Sequence, residues 1–383
     1  MINGAIDRWQ TFGGQNSSAR YRVRLTRPDP WLLVAVAGLL GLGMIMVFNA
    51  SYFFARERYG DPLYFFWKQT LSLLLGAGVL FGTSMIPVRW FERWAGWVLG
   101  ACVVLLSAVL LIGINRGGAQ RWFGLGVFSL QPSEFAKISL IIYLARSLAR
   151  RADRVGEFWR GLIPNLLIVG VVAALIGAQP NFSTAAILVM VSGTMLFAAG
   201  AKIWHLGALA FAVVPVGIIE IWTSPYRWQR LKSMWDPWSD PLGHGFQLIQ
   251  SMIAVGTGGW TGVGLGQSKQ KMLFLPEAHT DFIFSLIGEE LGVVGVALVL
   301  ALFALVAARG FRIALRHPDP FSSLLAFGLT LMIMTQAVVN VGVAVGILPT
   351  TGLALPFISY GGSALLGVMV EVGILTALSR VTG

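Results

Sequence analysis

The segment Leu275–Gly292, LPEAHTDFIFSLIGEELG, sets Glu277, His279 and Asp281 against the start of a long apolar run, with Glu289 and Glu290 inside it. Carboxylates at or within a bilayer are costly and persist where pairing, hydration or chemistry holds them. At the mouth of the run Asp281 would be partly desolvated, which raises a carboxyl pKa and suits it to general-base work. Thr280 or Asp281 could equally accept the first backbone N–H groups of the following helix, with Glu289 and Glu290 paired inside the bundle. His279 suggests zinc, but no HExxH or comparable spacing accompanies it. A hard divalent ion, magnesium or manganese, shared by Asp281 and a phosphate suits the residue types better.

A second set lies in Asn115–Pro132 and just beyond: Arg116, Arg121, Trp122, Gln131, Ser133, Glu134 and, one turn further, Lys137. A lysine inside a span needs a carboxylate, a wet cavity or an anionic ligand. Glu134 three residues earlier is one partner for it; a phosphate is the other, with Arg121 able to grip oxygens bidentately. The run GTGGWTGVGLG at 256–266 lacks the preceding strand and the GK[ST] of a nucleotide loop and reads as a tight, flexible turn. Lys269, Lys271, Arg227 and Arg230 make its surroundings cationic. LPTTGLALPFISYGGSALL at 348–366 interrupts an apolar region, and irregular backbone at membrane depth is tolerated where it is buried or lines a cavity. The outer part of the last span should therefore face a polar groove.

The elements that must position these residues are transmembrane helices. Of 383 residues, 56% are hydrophobic and 12% charged, with mean hydropathy +0.73. Soluble chains of this size carry roughly 25% charged residues. Spans are expected near 31–54, 64–86, 95–114, 133–149, 161–178, 182–200, 203–222, 281–308, 322–346 and 355–379. The chain thus reads as an all-α polytopic membrane protein of about ten transmembrane helices, each needing about 20 apolar residues. Basic clusters at Arg8–Arg27 and Arg146–Arg160 orient both termini to the cytoplasm. Residues 1–30, without an apolar h-region, read as a flexible cytoplasmic tail, and 31–380 as one transmembrane domain. A large extracytoplasmic loop, 223–280, separates spans seven and eight; its aromatics and the helical text QLIQSMIAV suggest a folded cap on the outer interface. The +11 charge sits at span ends rather than on an aromatic-rich basic surface, which argues against nucleic acid. Cys102, the only cysteine, excludes a disulfide framework.

The texts AQRWFGLGVFSLQPSEFAK, QPNFSTA, WDPWSDPLGHGFQLIQS, GVGLGQSKQKMLFLPEAHTDFIFSLIGEELG and LPTTGLALPFISYGGS closely resemble the SEDS family of cell-wall polymerases, the FtsW, RodA and SpoVE proteins. The resemblance covers roughly 30–380 and is stronger to the division branch, FtsW, than to RodA. It implies a glycosyltransferase that polymerises lipid II outside the cytoplasmic (inner) membrane at the division septum. Its implied partners are a class B penicillin-binding protein and other divisome membrane proteins, and its implied cofactor a divalent cation. The essential aspartate of the HTDF motif falls on Asp281. Arg121, Gln131, Glu134, Lys137, Lys271, Glu277, His279, Glu290 and Ser359 are the candidate substrate contacts, and Asp281 the candidate metal ligand. One departure stands out: the usual QPD-x-G-T reads Gln179-Pro180-Asn181-Phe182-Ser183-Thr184, an amide where a carboxylate is expected. A lipid II flippase and a non-catalytic divisome scaffold are the rival readings; neither inverted repeats nor paired broken helices favour the flippase.

Overall fold

A computed structural model describes residues 24–25, 27–116, 119–126, 128–272 and 274–382; most of the expected N-terminal tail lies outside them. In chain order the helices are α1 (Pro30–Tyr59), α2 (Tyr64–Met85), α3 (Val88–Ile112), α4 (Pro132–Arg150), α5 (Ile163–Ala178) and α6 (Phe182–Ala198). They continue with α7 (Ile203–Thr223), α8 (Pro225–Trp235), α9 (Phe246–Thr257), α10 (Ile283–Arg316), α11 (Pro320–Ala344) and α12 (Gly362–Ser379). Ten of these coincide with the ten expected spans, and α8 and α9 lie in the cap segment. Among the described residues, seven (α1 to α3, α5 with its preceding π-turn, and α10 to α12) are long and apolar enough to cross a membrane on composition alone. Helix α4 misses that standard because Glu134, Lys137, Arg146 and Arg150 lie on it.

Asp29 starts α1: its carboxylate accepts from the N–H groups of Trp31 (3.0 Å) and Leu32 (3.2 Å), and Pro30 occupies the first turn. The same carboxylate accepts from Arg309 Nε at 2.7 Å, tying α1 to the far end of α10. The two ends of the described chain meet, since β1 (Arg24–Leu25) pairs antiparallel with β5 (Val381–Thr382). The pairing puts both described ends on one side of the bundle, as an even number of crossings would. Helix α10 packs against α1, α9 and α11, α12 against α2, and α4 between α3 and α11. Leu39, Met46, Leu140, Leu286, Leu329 and Leu375 are fully enclosed at the centre. Trp97 and Leu111 on α3 and Trp204 and Phe211 on α7 stand exposed, the pattern of helices whose outer faces meet lipid.

The first outside loop holds structure that sequence reading leaves as loop: an antiparallel meander of β2 (Ile114–Arg116), β3 (Ala119–Leu125) and β4 (Phe128–Leu130). The three residues of β2 and of β4 carry too little alternation to be read, and the text of β3, AQRWFGL, does not alternate. The cap also differs from a layer on the outer interface. Helix α9 is wedged against α10 and α11, its Ser251 hydroxyl within 2.6 Å of the Ser285 hydroxyl and donating to the Ala344 carbonyl at 2.7 Å.

The glycine run 256–266 is pinned rather than flexible. Helix α10 breaks at Gly292 (φ 61°, ψ −159°). An unbroken helix would bond the N–H groups of Val293 and Val294 to the carbonyls of Glu289 and Glu290. Instead those carbonyls accept from Val263 (2.9 Å) and Gly264 (3.1 Å), while Val293 and Val294 donate to Gly259 (2.9 Å) and Trp260 (3.1 Å). The loop is spliced into the helix and gives partners to these two carbonyls and two N–H groups.

The splice brings Glu289 and Glu290 to the segment that follows. Glu289 accepts from the Ser268 hydroxyl and the Lys269 N–H (3.0 Å). Glu290 accepts from the N–H groups of Gly266 (3.0 Å) and Ser268 (3.2 Å), from the Asn49 amide, and from Lys271 Nζ at 3.2 Å. Lys271 Nζ also donates to Asn49 Oδ1 (2.5 Å) and the Gly266 carbonyl (2.6 Å). With side chains 3% and 0% exposed, Lys271 and Glu290 are enclosed partners of one another rather than substrate contacts.

Two outcomes follow from this arrangement. Lys271→Met should destabilise the protein by about 3–5 kcal/mol by leaving a buried charge unpaired, and adding Glu290→Gln should recover part of the loss, read as melting temperature in detergent. Gly292→Ala should lower the yield of folded protein, because its Cβ would lie 2.4 Å from the Gly262 nitrogen at a backbone conformation costing about 1–3 kcal/mol.

Candidate active site

Asp281 lies on the turn between the spliced loop and α10. The Glu277 carbonyl accepts from the N–H groups of Thr280 and Asp281, each at 3.1 Å, with Glu277 itself at φ 54°. Helix α10 begins at Ile283; its N-cap is Phe282, with no side-chain cap bond, so Asp281 does not cap it. The carboxylate also has no ion-pair partner within 4.0 Å among the described residues. Burial pushes its pKa up to about 6, and the Glu277 charge adds to the rise; Arg230 and a hydrogen bond with Thr280 act against it. A carboxyl poised near neutrality, bound to no other side-chain charge, can take up a proton from a hydroxyl.

The turn is held by its backbone. Three consecutive carbonyls each accept from the C-terminal third of the chain: His279 from the Tyr360 N–H (2.9 Å), Thr280 from the Ser359 hydroxyl (2.5 Å), and Asp281 from Asn340 Nδ2 (2.9 Å). Ser359 also accepts from the Leu355 N–H at 2.8 Å, and its one hydroxyl proton is spent on the turn. The ring of His279 is packed among Phe54, Phe65 and Tyr360, with centroids 5.4, 4.7 and 5.7 Å away. Burial lowers its pKa, against the pull of the Glu277 charge, and favours the neutral ring in this packing. Glu277 is exposed and accepts from the Thr280 hydroxyl at 3.0 Å.

The other expected residues fall into two further groups. Arg121 donates through Nε to the Gln179 carbonyl (2.7 Å) and through Nη2 to the Pro180 carbonyl (2.5 Å), fastening β3 onto the turn between α5 and α6. The bidentate grip anticipated for a phosphate is thus made on main chain. Asn181, beside that turn, is buried at the N-cap of α6 without a side-chain cap bond. Lys137 Nζ lies 2.8 Å from Glu134 and donates to Gln336 Oε1 at 3.2 Å. Both ionic side chains line a cavity of about 20 Å³ with Gln336, Ser359 and Glu371. Gln131 enters through its backbone N–H, which donates to Ser363 Oγ at 3.0 Å. The side chain of Arg116 is outside the described residues.

Several residues in these groups were not singled out from sequence. Glu371, 2% exposed, turns an oxygen without a hydrogen-bond partner into the Lys137 cavity. Its signal is the carboxylate in an apolar span. Gln336 and Asn340 are four apart on α11, and that polar pair in an apolar helix is the signal for both. Arg230, read only as a cap charge, donates to the Thr350 carbonyl at 2.8 Å and is the cation whose field reaches Asp281. Among the described residues no three His, Cys, Asp or Glu side chains are grouped to hold a metal. A divalent ion at Asp281 would therefore need phosphate and water oxygens for the rest of its shell.

Comparison with known proteins agrees with this layout. The family model for FtsW/RodA/SpoVE cell cycle proteins matches residues 30–382. Stage V sporulation protein E of Bacillus subtilis is 41% identical over 357 residues, 93% of this chain and 98% of that protein. A probable peptidoglycan glycosyltransferase FtsW of Halorhodospira halophila is 43% identical over 352 residues, covering 91% and 89%. A chain from a peptidoglycan synthase complex superposes with TM-score 0.77 at 32% identity, over 92% of this chain and 98% of that one. The Thermus thermophilus rod shape determining protein RodA gives TM-score 0.69 at 29% identity, over 92% and 97%. With its helices, its loops and nearly its whole length matched, the chain belongs to the FtsW/RodA/SpoVE family of cell cycle proteins.

Proposed function

We propose that this chain is a peptidoglycan glycosyltransferase that polymerises lipid II at the outer face of the cytoplasmic membrane, with Asp281 as general base. The observation that carries the assignment is the Asp281 carboxylate: uncapped, without an ion pair, and raised to about 6 on a turn whose backbone is fixed. The chemistry joins the 4-hydroxyl of an acceptor GlcNAc to the anomeric carbon of a donor MurNAc, releasing a polyprenyl pyrophosphate. A hydroxyl is a poor nucleophile at neutral pH, and a carboxylate at hydrogen-bond range contributes roughly 10²–10⁴ in rate. Asp281 takes the hydroxyl proton as the new C–O bond forms and the bond to pyrophosphate breaks.

Charge developing on the leaving group calls for cations. Arg230 is the cation nearest in effect to Asp281, while Arg121 and Lys137 reach an anion only by sharing it with the carbonyls and the carboxylate they already contact. A bound magnesium or manganese ion would supply Lewis-acid stabilisation of pyrophosphate, with Asp281 as its one protein carboxylate. Apolar grooves between helices would hold the lipid tails and bring donor and acceptor together. The family and the likeness to a peptidoglycan synthase complex support a working partnership with a class B penicillin-binding protein at the septum.

Purified protein, with and without that partner, is incubated with lipid II and a divalent cation and scored for glycan product on a gel. Wild type should polymerise and Asp281→Asn should fall by at least about 10²-fold. Polymer from Asp281→Asn at the wild-type rate overturns the base assignment; lipid translocation without polymer favours a flippase, and neither activity a scaffold. The pH profile should carry an acid limb near 6, because the working form is the carboxylate and protonation removes it. A raised carboxyl pKa also means that this group favours folding at low pH and loses that contribution as pH rises through about 6. Asp281→Asn should therefore melt no lower than wild type at pH 7, separating lost activity from lost fold.

A further inference from the structure

Asn340 is one turn beyond Gln336 on α11 and 1% exposed. Its Nδ2 donates to two main-chain carbonyls, Asp281 at 2.9 Å and Leu353 at 2.6 Å. Two carbonyl acceptors fix the amide orientation, since only the NH₂ end has protons for both. Its Oδ1 is buried without a hydrogen-bond partner among the described residues. A buried amide retained with one end unsatisfied is costly for stability alone. What it gains is a fixed distance between the turn carrying Asp281 and the 353–360 segment, whose Ser359 holds the neighbouring Thr280 carbonyl.

We infer that Asn340 is a positioning residue for the glycosyl transfer: it sets the Asp281 carboxylate by tying that residue's own carbonyl to the Leu353 carbonyl. The inference rests on the general-base reading of Asp281. The carboxylate itself has a hydrogen bond with Thr280 and, among the described residues, no ion pair; the charged groups that act on it are Glu277 on its own turn and Arg230 on α8. Without Asn340 the Asp281 peptide can rotate towards water, moving the base from the acceptor hydroxyl and lessening its desolvation. A misplacement of about 1 Å in a reacting group costs on the order of 10²-fold.

The test compares full-length wild type, Asn340→Leu and Asp281→Asn in the lipid II polymerisation assay, with kcat, KM, pH profile and melting temperature. Leucine keeps the branched shape at a larger volume and removes the donating amide. The expected result for Asn340→Leu is a kcat reduced about 10–100-fold with KM within about 2-fold, and an acid limb moved below that of wild type towards the ordinary carboxyl range. A structural role alone would lower the melting temperature and the active fraction but leave the acid limb and KM in place, and that result overturns the inference. Wild-type kcat with an unmoved acid limb overturns it as well. If Asn340→Leu does not fold, Asn340→Ser, which leaves room for water on the two carbonyls, is scored by the same readouts. The two readings fail separately: an active Asp281→Asn rejects the base, whereas an inactive Asp281→Asn beside an unaffected Asn340 variant rejects only the positioning role.

Discussion

A backbone that leaves the helix inside a bilayer finds no water to bond, so each break must be answered by other backbone. The break at Gly292 obeys that constraint through Gly259, Trp260, Val263 and Gly264, which exchange four hydrogen bonds with the two sides of α10. Everything at the outer mouth hangs from this splice. It joins the cap loop to the span, brings Ser268 and Lys271 onto Glu289 and Glu290, and delivers the chain to the Asp281 turn from a fixed direction. Helix α9, wedged beside it through Ser251, makes the cap continuous with the bundle.

The same economy of polar groups governs the charges. Lys271 is enclosed with Glu290, Lys137 with Glu134 and Gln336, and Arg121 on two carbonyls. Removing charges from water in pairs is not strongly stabilising, but losing one partner of such a pair is destabilising. These contacts therefore act to fix geometry, and an anion entering the site meets cations that already have partners. Asp281 differs from these pairs: its backbone is held while, among the described residues, its carboxylate has no ionic partner, a combination that suits a base.

The Lys137 cavity and the Asp281 turn share their supports. Gln336 and Asn340 reach them from successive turns of α11, and Ser359 lines the cavity while donating to the Thr280 carbonyl.

The sequence by itself determined the membrane class and the helices, and it singled out Asp281. Long apolar runs separated by charged or glycine- and proline-rich gaps are local signals, and a carboxylate at the edge of such a run stands out because its cost does not depend on the fold. The pairings were decided only by the tertiary structure. Lys271 and Glu290 read as substrate contacts and are partners across 19 residues; GTGGWTGVGLG reads as a flexible turn and is one half of a helix break. Ser359 and His279 read as site residues and prove to be a backbone support and a packed ring. Asn340, Gln336 and Glu371 carried only the weak signal of polar residues in apolar helices. Which donor meets which acceptor depends on contacts between segments far apart in the chain, and no local pattern encodes them.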